Sequence, residues 1–320
     1  RLLIVTAPVC GSQLLILFPK LRSLPSVQVH PYTGDVGNPI MKTARLRQTR
    51  QLYLLLLVPL LVLFVFSYLP MVGLVIAFQD YNIFKGFFAS KWSGFSVFKE
   101  IFRMPSFWVA LRNTFMLNGL NLLVGFPAPI VLALMLNELR NKGIKRTFQS
   151  TLYLPHFLSW AIIGSLAVEL LADNTGLVNV FIKSQGGRIV PFLSEKWHWL
   201  ATYQGIWIWQ NAGWATIIYL SSLTAINPEL YEAAEVDGAG RWRKTWSITL
   251  PGISSTMVVL LIIQVGKIVN IGFEQPYIIG NALVQDFADV ISTFVYRVGL
   301  LSARYNDGAA AGRLTDTGIW

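Results

Sequence analysis

Uncharged, mostly apolar stretches recur along the chain between short basic segments. Five of them carry no Asp, Glu, Lys or Arg, and they are roughly residues 51–78, 113–137, 147–168, 197–226 and 245–266. A helix of about 20 residues spans the hydrocarbon core of a bilayer. Inside lipid every backbone polar group must be paired within the protein, and stretches of this length achieve that as helices. The pattern predicts an all-α polytopic membrane protein with five clear spans.

The overall composition agrees with lipid as the surrounding solvent. Hydrophobic residues make up 54% of the chain, charged residues 13%, and the mean hydropathy is +0.52, which is unsuited to a soluble protein. The formal net charge of +10 could also serve nucleic acid binding, but the chain carries no recognisable nucleic-acid-reading motif. We therefore expect the lipid bilayer, and no nucleic acid, among its partners.

The basic residues predict the orientation of the spans. Under the positive-inside rule, loops rich in Lys and Arg face the cytoplasm. Basic clusters precede the first span and follow the second and the fourth, and they consist of Lys42, Arg45, Arg47, Arg50, Arg140, Lys142, Lys145, Arg146, Arg241, Arg243 and Lys244. The segment 79–112 is also basic, but the alternation set by the other loops places it outside.

Few residues suggest chemistry. The lone Cys10 and the scattered His30, His156 and His198 offer neither a disulfide nor metal-ligand spacing, and no nucleophile and base stand at a recognisable spacing. The chain also lacks a glycine-rich loop that could cradle ATP phosphates. We predict no catalytic site, no metal site and no bound cofactor in this chain.

The segment after the fourth span, residues 227–251, has the features of a short capped helix. Asn227 is a good N-cap, Pro228 suits the first turn, and Glu229 lies where the helix dipole favours an anion. Gly238 is expected to end the helix, and Leu250-Pro251 to open the next span. A helix this short needs a partner surface, because isolated short helices are unstable in water.

This segment resembles the cytoplasmic loop signature of binding-protein-dependent ABC importer permeases: Glu-Ala-Ala, three residues, Gly, nine residues, Ile, one residue, Leu-Pro. The matching positions are Glu232, Ala233, Ala234, Gly238, Ile248, Leu250 and Pro251. In the family this loop is a coupling helix that lies in a groove of a cytoplasmic ATPase. The resemblance implies that Glu232 to Gly238, with Asp237, form the docking helix.

The family resemblance implies the fold and the partners. It implies a type I ABC importer transmembrane domain in the bacterial plasma (inner) membrane, with two cytoplasmic ATP-binding subunits, which hold ATP and Mg. It also implies an extracytoplasmic solute-binding protein and a second permease subunit, expected to be a different chain. Four segments resemble those of the carbohydrate branch of the family, and they are Ser67 to Met71, Phe148 to Leu158, Asn270 to Gln275 and Asp289 to Thr293. Within that branch, we expect this chain to be most similar to the importer of the acidic polysaccharide alginate.

The sequence is predicted to consist of three parts. Residues 1–40 are interpreted as an N-terminal extension without a core role, residues 41–306 as the transmembrane domain, and residues 307–320 as a C-terminal tail. Family members carry a final apolar span after the position of Tyr305, whereas here a Gly-Ala-rich run leads directly to the tail. A sixth span is therefore expected to be either deleted or absent from the given sequence.

Two groups of residues are candidates for the substrate pathway. Sugars are bound by aromatic platforms together with hydrogen-bonding groups. In the fourth span such residues recur at helical spacing, and they are Tyr203, Trp207, Asn211 and Trp214; the alternative is that these side chains only pack or anchor the helix. The second group, Gln264, Lys267 and Asn270, is expected on one side of the fifth span.

Lys267 has three possible roles. A lysine within a membrane segment is costly and is therefore a functional candidate, so it could meet an anionic sugar such as a uronate. It could instead extend to the membrane surface or pair with Glu274.

Two other classes of protein are alternatives. A secondary transporter or channel would use intramembrane carboxylates, and only Glu169 approaches that description. A membrane-embedded enzyme would need the catalytic groups that the chain lacks.

Overall fold

The structure is a computed structural model that describes residues 53–139 and 141–315. The predicted extension, residues 1–40, lies outside the described residues. The described residues from Leu63 onwards form one compact unit.

Helices dominate the described chain. A two-residue antiparallel ladder joins β1, Gln79–Asp80, to β2, Lys91–Trp92. The helices are α1 Tyr53–Phe78, α2 Gly86–Ala89, α3 Ser96–Arg103, α4 Pro105–Glu138, α5 Lys142–Phe157, α6 Trp160–Leu171, α7 Leu177–Ser184, α8 Lys196–Thr224, α9 Pro228–Val236, α10 Arg241–Gly252, α11 Ser254–Gly266, α12 Glu274–Ile279, α13 Gln285–Ala288, α14 Ile291–Leu301 and α15 Tyr305–Thr315.

Each of the five predicted spans contains helix, but some of them are not a single continuous apolar helix. By length and composition α1 and α4 can each cross a membrane alone, and the described chain has up to four spans if each of two bent pairs counts as one. The pairs are α5 with α6, bent by 102°, and α10 with α11, bent by 62°. The remaining predicted span, α8, is 29 residues long. It contains many indole and amide side chains and is therefore less apolar than α1 and α4.

Proline explains the two bends. Pro155 lies in the last turn of α5 and Pro251 in the last turn of α10, and each lacks the N–H that would continue the helical hydrogen-bond ladder. The expectation that the fifth span opens at Leu250 needs correction, since the preceding basic segment is already helical from Arg241. The chain instead turns at Ile253 and enters α11.

α4 and α8 pack side by side and run in the same direction. Gln204 Nε2 donates to the Leu117 carbonyl at 3.2 Å, and twelve residues further along both helices Thr216 Oγ1 donates to the Pro129 carbonyl at 3.3 Å. Between these contacts the Trp207 ring lies against Gly125. The matched order of contacts places the C-terminal ends of α4 and α8 at one end of the bundle, as the predicted alternation requires.

The C-terminal segment differs from its predicted form. Residues 307–315 do not form a tail but continue α15, whose Ala309, Ala310 and Ala311 are buried. These alanines belong to a core cluster with Phe107 and Phe294. Small side chains make this packing possible, because a Cβ added at Gly308 would lie 2.6 Å from the Gly299 Cα.

We expect Gly213→Ala to destabilise the contact between α8 and α5. A Cβ at Gly213 would lie 1.9 Å from the Leu152 carbonyl oxygen, and overpacking of this kind typically costs about 1–3 kcal/mol. The midpoint of thermal unfolding of the detergent-purified protein should fall by several degrees. The control is Gly205→Ala on the same helix, where an added Cβ meets nothing within 4 Å. Equal midpoints for the two variants would contradict the close packing.

Candidate functional site

Helix α9 begins as the sequence predicts. The Asn227 side chain accepts a hydrogen bond from the Glu229 backbone N–H at 3.1 Å, and Pro228 occupies the first turn. The cap satisfies one of the amide groups that a helix start leaves unpaired. Glu229 adds a negative charge at the positive end of the helix dipole.

The end of α9 is fixed by a glycine in the left-handed conformation. Gly238 has φ +71°, its N–H donates to the Glu235 carbonyl at 3.0 Å, and the Ala239 N–H donates to the Ala234 carbonyl at 2.8 Å. This pair of bonds is the Schellman motif, in which a residue without Cβ is preferred. The predicted helix from Pro228 to the stop at Gly238 is thus confirmed as local structure.

One side of α9 is held against α10. The Tyr231 hydroxyl lies 3.0 Å from Thr249 Oγ1, and Lys244 Nζ donates to Glu235 Oε1 at 2.6 Å. That hydrogen bond, and then the positive charge of Lys244, lower the pKa of the Glu235 carboxyl. These contacts set the angle between the two helices.

The other side of α9 faces solvent in this chain. Glu232, Ala233 and Asp237 are exposed, and Val236 is 89% exposed. The exposed side is a small surface of alanine, valine and carboxylates, and the contacts of α9 with α10 hold it in place.

The other predicted docking residues have a different position. Leu250 packs against the core cluster that joins α4 to α8, Ile248 is half-buried two residues before it in the chain, and Pro251 lies at the end of α10. These three residues lie where α10 returns towards α11, away from the exposed side of α9. Ala234 is half-buried on the side of α9 that lies nearer to the protein.

Sequence reasoning missed an exposed aromatic pair on α10. Trp242 is 79% exposed and Trp246 is 68% exposed. They are four residues apart, so they lie one turn apart on the same face of the helix. Large apolar residues at this spacing inside a basic segment were the available signal.

The first pathway group consists largely of packed side chains. Tyr203 is 1% exposed and its ring lies 5.1 Å from that of Trp199. Trp207 rests on Gly125, and Asn211 Nδ2 donates to the Trp207 carbonyl at 2.9 Å. These contacts fit the packing alternative for the three residues.

Trp214, the fourth member of this group, stacks on an imidazole. Its ring is 5.0 Å from that of His156 at 12°, and Trp214 remains 48% exposed. It is thus the member of this group whose aromatic surface is most open within this chain.

The second pathway group lies beyond the end of a helix. α11 ends at Gly266, so Lys267 and Asn270 belong to the following connection and do not continue a helix face. Both are exposed, and Lys267 forms no ion pair with Glu274 among the described residues. Gln264 is half-buried in the last turn of α11.

Asn118 on α4 holds this connection and was not predicted. Its Nδ2 atom lies 2.8 Å from the Ile268 carbonyl, and 3.4 Å from the carbonyls of Lys267 and Asn270. Two turns further along α4, Gly125 contacts Trp207 of the first pathway group. One face of α4 therefore contacts both pathway groups, at points about 10 Å apart along the helix axis. A polar residue in the middle of an apolar stretch was the signal for Asn118.

Within the described part of the chain, no group of three or more His, Cys, Asp or Glu side chains could hold a metal ion.

The exposed Glu195 carboxylate contacts the His198 imidazole. That hydrogen bond lowers the pKa of the Glu195 carboxyl.

Solved structures of transporters share this architecture. A chain of a bacterial ABC transporter involved in the import of the acidic polysaccharide alginate is 40% identical, with a TM-score of 0.76 over 86% of this chain and 92% of that chain. A bacterial alginate ABC transporter in complex with alginate pentasaccharide-bound periplasmic protein matches equally well, with a TM-score of 0.76. The fold is accordingly that of a type I ABC importer transmembrane domain, as the sequence predicts.

Sequence comparison gives the same family. Protein LplB of Bacillus subtilis (strain 168) is 43% identical over 294 residues, which cover 92% of this chain and 90% of that protein. The polygalacturonan/rhamnogalacturonan transport system permease protein YteP of the same organism is 45% identical over 269 residues, 84% of each chain. The model of the family described as "binding-protein-dependent transport system inner membrane component" matches residues 125–306. This chain, with more than half of its length in that match, belongs to the family of binding-protein-dependent transport system inner membrane components.

Proposed function

We propose that this chain is the permease subunit of an ATP-driven importer that takes an oligosaccharide or polysaccharide into the bacterial cytoplasm. The observation that carries the proposal is α9, a capped helix whose Glu232, Ala233 and Val236 are presented to solvent at the end of α8. A surface of that kind, in a membrane chain of this family, is suited to an ATPase subunit. The chain itself is a transport component and not an enzyme.

The proposed mechanism is alternating access. An extracytoplasmic solute-binding protein delivers the glycan, and two separate ATPase subunits, which hold ATP and Mg, close on their nucleotide. Each ATPase moves the docking helix of one permease subunit, and the second permease is a different chain. ATP can favour one orientation of the pathway only if it binds the two states with different affinity.

The proposed cargo is a carbohydrate, and an acidic one of the alginate or polygalacturonan kind is favoured. The similarity to YteP and to the alginate importer supports this class. Lys267 gives it a physical basis, since its ammonium is exposed and has no ion-pair partner among the described residues. It lies in the connection held by Asn118, beside α4.

We expect Ala233→Arg to disrupt binding of the ATPase. Ala233 is exposed on the free side of α9, so the larger charged side chain should leave this chain folded and should block the close approach of a partner. Co-purification of ATPase subunits with the tagged permease should fall at least tenfold, which corresponds to about 1.4 kcal/mol. Ala225→Arg makes the same change at an exposed alanine before α9 and should keep the ATPase. If both variants co-purify with equal amounts, α9 is not the docking helix.

We expect Lys267→Ala to impair uptake of anionic glycans selectively. Loss of a charged hydrogen bond to a carboxylate typically costs about 1.5–3 kcal/mol, which is roughly a tenfold or greater rise in the substrate concentration for half-maximal uptake. Uptake is measured in proteoliposomes that contain the transporter and its binding protein. Lys99→Ala removes the same charge from the exposed surface of α3 and should leave uptake unchanged. Unaltered uptake of a uronate oligosaccharide by the Lys267 variant would remove this role.

A further inference from the structure

Two cations share one aromatic ring at the end of the bundle opposite α9. Lys196 Nζ lies 3.8 Å from the centre of the Phe287 ring, and Arg112 Cζ lies 5.6 Å from it. The indole of Trp197 stands edge-on to the same ring at 6.4 Å and is 65% exposed. We call these four residues the outer cation cluster.

The outer cation cluster lies on the extracytoplasmic side. Arg112 is in the N-terminal part of α4, and Lys196 is the first residue of α8. α4 and α8 run in the same direction, and α8 leads at its other end to α9. Since the basic loops place α9 in the cytoplasm, the cluster faces the side from which cargo arrives.

The positive charges of the cluster have no carboxylate partner among the described residues. Neither Arg112 nor Lys196 takes part in an ion pair there. The neighbouring acidic groups are engaged elsewhere: the Glu195 carboxylate contacts His198, and that of Asp289 contacts Arg297. The Asp286 side chain forms no described ion pair and lies at the rim of the cluster.

The cluster is held in place from beneath. The buried Asn113 amide donates to the carbonyls of Asp286 and Asp289 at 2.9 and 2.8 Å, which fixes α13 and its Phe287 ring against α4. The Arg112 guanidinium donates to Asn113 Oδ1 at 3.0 Å and to the Asp286 carbonyl at 2.8 Å. A guanidinium and a ring that are already positioned lose little freedom when they bind a ligand.

This arrangement is poorly explained by fold stability alone. An aromatic ring attracts a cation, but a second cation close to the same ring adds repulsion between like charges. A carboxylate paired with either cation would relieve that repulsion, and no described carboxylate forms an ion pair with Arg112 or Lys196. The arrangement suits an anion that comes from outside the chain.

We infer that the outer cation cluster is an entry site for a uronate unit of an anionic glycan. The sugar carboxylate lies between Lys196 and Arg112, and an apolar face of the sugar ring lies on the exposed indole of Trp197. The inference rests on the proposed function and adds a charge-selective contact ahead of the pathway. Such a contact raises the local concentration of acidic chains at the mouth of the transporter.

The test uses the complete transporter in nanodiscs, without binding protein or nucleotide. Binding of trigalacturonate and of its uncharged methyl ester is measured by saturation-transfer NMR, which detects weak ligands. We expect the wild type to bind the acid more tightly than the ester, and added salt to reduce that difference. Arg112→Gln with Lys196→Gln should weaken binding of the acid roughly fivefold to tenfold and leave the ester unchanged.

A matched variant controls for net charge. Lys99→Gln with Arg103→Gln removes two exposed positive charges from α3 on the same side, and it should keep the preference for the acid. Lys196→Gln alone should show part of the effect, and since Lys196 is exposed this variant does not depend on refolding of the Arg112 contacts.

Three outcomes would overturn the inference. The wild type could bind acid and ester equally, or the double variant could keep the preference for the acid. The double variant could also impair binding-protein-stimulated ATPase activity equally for acidic and neutral cargo, which would assign the cluster to the binding protein. The proposed function is tested separately, because it fails only if the wild type with its binding protein takes up no oligosaccharide at all.

Discussion

The structure depends on side-chain amides that pair with backbone carbonyls where the helices break. In a bilayer no water is available for such carbonyls, so each break needs a donor from a neighbouring helix. Gln210 donates to the Leu158 carbonyl at the bend between α5 and α6, at 3.3 Å, and Asn118 serves the connection after α11. At the outer end of the bundle, Asn113 pairs in the same way with the carbonyls of Asp286 and Asp289. Breaks of this kind create an irregular interior that a bundle of straight helices could not provide.

The ends of the bundle carry different chemistry, and α4 and α8 connect them. At one end α9 is held on one side and open on the other, with its length set by Asn227 and Gly238. At the opposite end the first turn of α8 brings Lys196 beside Phe287. Both ends therefore gain their geometry from the same long helix.

The sequence predicts best those features that depend on local chemistry. The bounds of α9 follow from a cap, a proline and a glycine that are neighbours in the chain, and the family follows from the spacing of the same segment. The size of the bend after Pro155 and the burial of Tyr203 could not be predicted, because they depend on residues distant in the sequence: Gln210 pairs with the Leu158 carbonyl, and Tyr203 packs in one cluster with Leu117 and Ile279. α15 was missed for a related reason: its small residues carry little hydrophobic signal, and their burial depends on the contact between Gly299 and Gly308. The assignments of docking and pathway residues remain predictions.

The connection between α8 and α9 has a mechanical consequence. Only residues 225–227 separate the two helices, and α8 with its 29 residues is a rod about 43 Å long. Gln210 and the close contact of Gly213 with Leu152 attach the bent pair α5 and α6 to the middle of that rod. A tilt of about 10° about that attachment would move each end of the rod by about 4 Å, since each arm is about half its length. A small rotation at α9 would therefore be transmitted along α8 to the opposite end of the bundle, where it becomes a displacement of several ångströms.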